Sequence, residues 1–182
     1  MLWTIKRPYW RSQELVTIGI FAAAIKLSAL LIALAGGGMN PVTLLLKNLV
    51  FTTLLIVLVS KVRKFGTLTL FTAVSMVVSV LLMGGSVALL PAAIVGALFA
   101  EAAVFLTGGF KRVWSPYVGV AVYDLASKTF SIGVSYIVMR ETPELMISVI
   151  PIVLLGYLGS LIGLYTGSCT IKELRHAGFV RS

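Results

Sequence analysis

Five ionisable residues lie inside long apolar stretches of this 182-residue chain, and their chemistry needs the most explanation. They are Lys26, Lys47, Glu101, Asp124 and Lys128. If the apolar stretches cross a lipid bilayer, a charge that faces lipid costs a few kcal/mol or more. We therefore expect these side chains to point into a helical bundle, to pair with one another, or to line a wet cavity.

The two intramembrane carboxylates are predicted to lie at similar depth. Glu101 precedes Arg112 by 11 residues and Asp124 follows it by 12, so antiparallel neighbouring helices would place both in the cytoplasmic half. Lys128 follows Asp124 by four residues, which puts the two side chains on one helical face. We interpret Glu101, Asp124 and Lys128 as a buried charge network; the alternative is a path for protons or ions.

Two lysines have no acidic neighbour in the sequence. Lys26 is near the middle of the first apolar stretch, where an acidic partner from a later helix is expected. Lys47 lies six residues after Pro41, in the outer half of the second stretch. There it would suit an anionic group of a substrate, or it would extend along the helix to the membrane surface.

The composition identifies the environment that these charges share. The chain is 59% hydrophobic and only 12% charged, against about 45–50% hydrophobic for a soluble domain. Six apolar spans, each close to the roughly 20 residues that cross a bilayer, predict one membrane domain over residues 1–182. The spans are 16–35, 41–60, 66–83, 87–107, 116–139 and 145–168. The predicted fold is an all-α integral membrane protein, a bundle of six transmembrane helices.

The basic residues predict the orientation of this bundle. Eleven lie in the two terminal segments and in alternate connections, whereas the opposite connections hold only Arg140. By the positive-inside rule both termini of this multi-pass protein are predicted to be cytoplasmic. The formal net charge of +9 is therefore explained by topology and does not predict nucleic acid as a partner.

The motifs of soluble-enzyme chemistry are absent from the sequence. His176 is the only histidine and lies in the C-terminal tail, so no histidine-based metal site is expected in the bundle. There is no Walker A loop, dinucleotide-binding fingerprint or nucleophile elbow. We expect no catalytic residues, metal or cofactor, and any ATP-driven step would have to come from another polypeptide.

Small residues recur at four-residue spacing along the first span. Gly19 and Ala23 form one such pair, and Ala24 and Ser28 form the next. This spacing lets helices approach closely in lipid. The face either packs within the chain or docks a partner membrane protein, and the pattern itself does not separate these alternatives.

Three segments carry a resemblance to a known class of proteins: ELVTIGIFAA at 14–23, KVRKFG at 61–66 and PAAIVGALFAE at 91–101. The chain resembles the substrate-binding S-components of energy-coupling factor (ECF) transporters. More narrowly, it is similar to the MptD or Trep_Strep group of that class.

The resemblance implies a six-helix bundle that binds a scarce micronutrient, a vitamin-like solute or a metal chelate, from outside. It also implies a membrane T-component and two cytoplasmic ATPases as partners, with the docking face at Gly19, Ala23, Ala24 and Ser28. The candidate substrate contacts are polar side chains of the outer half and the middle of the bundle: Asn40, Lys47, Asn48, Lys128, Tyr136 and Arg140. A stand-alone proton-coupled secondary transporter that uses the intramembrane carboxylates is the alternative, and an intramembrane enzyme or assembly factor is a third.

Overall fold

The computed structural model describes residues 9–36, 40–83, 90–112, 114–139 and 143–178, and these ranges are helical with short connections. The helices are α1 (Ser12–Ala35), α2 (Pro41–Lys61), α3 (Thr67–Met83), α4 (Leu90–Leu106), α5 (Ser115–Met139) and α6 (Pro143–His176). A short 3₁₀ turn at Gly109–Lys111 joins α4 to α5. The predicted all-α class is confirmed over the described ranges.

Three segments are long and apolar enough to cross a membrane: Ser12–Ala35, Pro41–Lys61 and Pro151–His176. The apolar helices α3 and α4 are shorter, with 17 residues each. At 1.5 Å per residue they are about 26 Å long, close to the roughly 30 Å of the hydrocarbon core. The described helices therefore have the lengths and composition of a membrane protein, while the exact number of crossings stays a prediction.

The helix boundaries follow local chemistry. Proline is the first residue of α2 and of α6, where its missing N–H would have no partner within the helix. Gly66 ends the connection between α2 and α3 with a φ of 90°, a left-handed conformation that side chains disfavour. The last helix, α6, continues eight residues beyond the predicted span end at 168, because a helix need not stop where the hydrocarbon does.

Helix α2 lies at the centre of the described bundle. It packs most extensively against α6 and also contacts α1 and α5. Residues 55–60 are all buried, which requires neighbours on every side of the helix. Beside them, the ring of Phe51 stacks on that of Tyr123 from α5 at a centroid distance of 6.1 Å.

A row of glycines lets α6 lie directly against α2. A Cβ atom at Gly159 would be 2.6 Å from the carbonyl oxygen of Leu45, and one at Gly163 would be 2.6 Å from that of Leu49. The contacts advance together along both helices, so α2 and α6 are parallel. The glycines that face α2 are Gly156, Gly159, Gly163 and Gly167.

Hydrogen bonds reinforce this contact in the C-terminal halves of the two helices. The hydroxyl of Thr53 lies 2.8 Å from that of Thr166 and 3.0 Å from the carbonyl oxygen of Gly163, to which it donates a hydrogen bond. Close backbone approach and interhelical hydrogen bonds are the interactions that hold helices together in lipid. The α2–α6 pair is therefore the structural axis of the protein.

Candidate functional site

A cavity of about 390 Å³ lies between α2, α5 and α6. It lies about 10–12 Å from the bundle end where α2 and α6 begin and α5 finishes, counting 1.5 Å per residue to Asn48 and to Ser131. Its walls combine polar groups with two stacked aromatic rings. The lining residues are Asn48, Phe51, Tyr123, Asp124, Ser127, Lys128, Ser131, Ile132 and Val153.

An ion pair forms one wall of this cavity. Lys128 Nζ lies 2.6 Å from Asp124 Oδ2, one turn away on α5, and donates a second hydrogen bond to Ser160 Oγ at 3.1 Å. The ring of Tyr157 stands 6.0 Å from the ammonium, at the limit of a cation–π contact. Two protein acceptors and an aromatic face thus fix the lysine, which has three donors in all.

Other polar groups in the cavity have unused bonding capacity. Asn48 donates one amide hydrogen to the carbonyl oxygen of Leu44 at 2.8 Å, which leaves its second N–H and its carbonyl oxygen. The buried hydroxyl of Ser127 lies beside the Tyr123 hydroxyl and has no other hydrogen-bond partner among the described residues. These atoms can still form hydrogen bonds with a polar occupant.

Gly156 keeps space open beside these groups. A Cβ atom at this position would lie 3.1 Å from Asn48 Nδ2 and 3.6 Å from Lys128 Nζ. A larger side chain would therefore intrude on both. The cavity can accept a small molecule that stacks on the aromatic rings and exchanges hydrogen bonds with both charged and neutral groups.

The predicted three-membered charge network is wrong in one member. Glu101 is buried, but its Oε1 accepts a hydrogen bond from the backbone N–H of Thr69 at 3.0 Å. Thr69 lies in the first turn of α3, where N–H groups lack partners within the helix. Glu101 therefore caps α3, and among the described contacts it does not join Asp124 and Lys128.

The structure brings only two of the predicted substrate contacts, Asn48 and Lys128, to this cavity. Asn40 instead precedes α2 and donates to the carbonyl oxygen of Gly36 at 2.8 Å. It borders a separate cavity of about 580 Å³ at the turn between α1 and α2, whose walls are about as apolar as those of the first cavity.

The remaining candidates do not line the polar cavity. Lys47 is half-buried and Tyr136 is exposed, and neither is among the lining residues. Arg140 lies outside the described residues. Helical geometry explains the separation of Lys47 from Asn48, because successive residues are turned by 100°.

The proposed docking positions on α1 divide between two sides of the helix. Ala22, next to them, is fully buried, whereas a Cβ at Gly19 would meet nothing within 4 Å. Ala23, Ala24 and Ser28 are half-buried. In this chain, the described packing therefore leaves the Gly19 side of α1 uncovered.

Sequence reasoning did not identify Ser127 and Ser160 as site residues. For Ser127 a signal existed: Asp124, Ser127 and Ser131 recur at spacings of three and four within an apolar helix, which marks a polar face. Ser160 and Tyr157 lie on another helix, and nothing local to α6 indicates that they meet Lys128. Among the described residues, no three His, Cys, Asp or Glu side chains cluster as metal ligands would.

An all-helical bundle of long apolar helices has the architecture of an integral membrane protein. The family comparison agrees with the membrane class. The chain belongs to the Trep_Strep family of hypothetical bacterial integral membrane proteins, whose model matches residues 12–142. This match spans α1 to α5. No curated protein and no solved structure matches the chain.

Proposed function

We propose that this bacterial integral membrane protein is the substrate-binding S-component of an ECF-type importer in the cell membrane. It captures a small micronutrient, a vitamin-like solute or a metal chelate, from outside. A membrane T-component and two cytoplasmic ATPase subunits then drive delivery to the inside. The chain itself carries no catalytic step.

The observation that carries this proposal is the polar cavity between α2, α5 and α6. It contains an ion pair, an asparagine and a buried serine hydroxyl among mainly apolar walls. Polar groups at membrane depth commonly mark a substrate path. The cavity is near the bundle end that bears few basic residues, which is the outer end under the positive-inside rule.

The proposed topology has six crossings, with both termini in the cytoplasm. The parallel arrangement of α2 and α6 supports it, since three intervening crossings between these helices restore the same direction. The first helix is also tied to the connection after α2: Lys64 Nζ lies 2.6 Å from Glu14 Oε2. This ion pair puts the start of α1 and the end of α2 at one end of the bundle.

Solute binding is tested on the purified protein by native mass spectrometry for a co-purified small molecule, followed by calorimetric titration with that molecule. We expect Asn48→Ala and Ser127→Ala to weaken its binding by about tenfold each, because one hydrogen bond to a buried group contributes about 1.4 kcal/mol. Asn40→Ala is the matched control and should bind normally. Equal affinities in all three variants would reject the cavity as the site.

Partner docking is tested by co-purification with the T-component and ATPases of the same bacterium. We expect Gly19→Leu to block assembly while solute binding persists, because a leucine side chain would cover the small-residue face that Gly19 and Ala23 form on α1. Gly133→Leu on α5, where a Cβ also meets open space, is the control. A chain that never associates with a T-component would refute the S-component assignment.

The buried carboxylates of Glu101 and Asp124 are compatible with one alternative function, that of a stand-alone proton-coupled secondary transporter. Asp124 is only 3% exposed and lines the cavity, which places a carboxylate beside a bound solute, as proton coupling would require. Vesicles that contain the purified chain alone distinguish the two functions. Solute uptake driven by a pH gradient would establish the transporter, whereas the S-component predicts no net uptake.

A further inference from the structure

A groove lies at the other end of the bundle, between the start of α5 and the C-terminal half of α6. Its volume is about 500 Å³, and its walls are mainly aromatic and aliphatic. Trp114 and Tyr165 are 78% and 73% exposed, so the groove opens toward the surroundings of the bundle. The lining residues are Trp114, Tyr117, Leu164, Tyr165 and Ser168.

Cations continue the groove on the same face of α6. From Tyr165, the residues Ser168, Lys172 and Arg175 follow at spacings of three, four and three, so all four lie within an arc of about 80°. Lys172 and Arg175 are exposed, and neither has a carboxylate partner among the described residues.

The length of α6 places these parts at different depths. Its 34 residues extend about 50 Å, well beyond the roughly 30 Å of hydrocarbon. With the predicted span 145–168, the hydrocarbon ends near Ser168, so Leu164 and Tyr165 lie about 5 Å inside that boundary. Lys172 then lies about 6 Å beyond it, at the level of the lipid headgroups.

We propose that this groove binds one anionic phospholipid, with the upper part of its acyl chains against Trp114 and Tyr165 and its phosphate near Lys172 and Arg175. The apolar wall followed by unpaired cations complements an amphiphile with a negative head. Basic pockets between transmembrane helices on the cytoplasmic side recognise lipid headgroups in this way. The site is separate from the solute cavity, and its occupancy does not depend on the solute.

The test uses the full chain in nanodiscs that contain equal amounts of phosphatidylglycerol and phosphatidylethanolamine, examined by native mass spectrometry. We expect one retained phosphatidylglycerol per chain. Lys172→Gln and Arg175→Gln should each reduce that retention about fivefold, and the double variant about thirtyfold, at about 1 kcal/mol per charge. Arg11→Gln removes an exposed cation at the residue before α1, outside the groove, and should have no effect.

Ser168→Leu provides an independent variant, because it fills the groove and leaves both cations in place. It should also lose the bound lipid, and a thermal unfolding curve like that of the wild type shows that it is folded. Equal retention of the two lipids by the wild type, or equal losses in Arg11→Gln, would overturn the proposal. Displacement of the lipid by free glycerol phosphate would also overturn it, because that result needs only the cations.

Discussion

Lys128 Nζ lies 2.6 Å from Asp124 Oδ2 on α5, and the same ammonium donates to Ser160 on α6. The pair therefore has two functions in the structure. It neutralises two charges at membrane depth and links α5 to the central α2–α6 pair. Because it also lines the cavity, a bound solute would contact a charge pair that the protein has already fixed in position.

Removal of the carboxylate should destabilise the protein strongly. Asp124→Asn leaves Lys128 without a counter-charge in a site of low dielectric constant, and we expect a loss of about 3 kcal/mol in the free energy of unfolding. Thermal unfolding of the detergent-purified protein measures this. The double variant Asp124→Asn/Lys128→Met should recover most of the loss, and Lys47→Met should be close to wild type. An Asp124→Asn protein as stable as the wild type would show that the pair has no structural role.

A methyl group in the α2–α6 contact should force the helices apart. A Cβ at Gly163 would lie 2.6 Å from the carbonyl oxygen of Leu49 and 3.1 Å from its Cα. These are backbone atoms, which cannot relieve the clash by a change of side-chain rotamer. We expect Gly163→Ala to lower the midpoint of thermal unfolding by several degrees. Gly133→Ala adds the same methyl group to α5 with nothing within 4 Å, so no loss is expected. Equal midpoints for the two variants would contradict the packing described here.

The cap of α3 by Glu101 predicts a graded series. Glu101→Gln keeps an oxygen that can accept from Thr69 N–H but loses the favourable charge at a helix N-terminus, whereas Glu101→Ala loses both. Stability should fall in the order Glu, Gln, Ala, with about 1 kcal/mol between the first and the last. Hydrogen exchange of the first turn of α3 should quicken in the same order. If exchange there stays unchanged in Glu101→Ala, the carboxylate has another role.

The proposed topology predicts opposite accessibility for two engineered thiols. Cys169 is the only cysteine in the chain, so Cys169→Ser provides a thiol-free background. In that background, a membrane-impermeant maleimide should label Asn40→Cys in intact cells, but Ala177→Cys only after permeabilisation. Both positions are exposed in the structure. Labelling of both from the same side would rule out an odd number of crossings between them, and with it the six-helix arrangement.

The sequence alone determined the features that depend on local chemistry. Apolar composition identified a membrane protein, and the apolar runs predicted helices close to those observed, because backbone hydrogen bonds must be satisfied within each segment in lipid. The approach of Asp124 to Lys128 was also predictable, since four residues make about one helical turn.

Only the tertiary structure decided which helices meet. It placed Ser160 and Tyr157 of α6 at Lys128, and it separated Asn40 and Lys47 from the cavity that Asn48 enters. It also directed Glu101 to a backbone N–H of α3, a partner that no side-chain pattern can reveal. The physical reason is that neighbours are chosen by close packing over the whole bundle, here by the glycines of α6 against α2, whereas sequence spacing specifies only the faces within one helix.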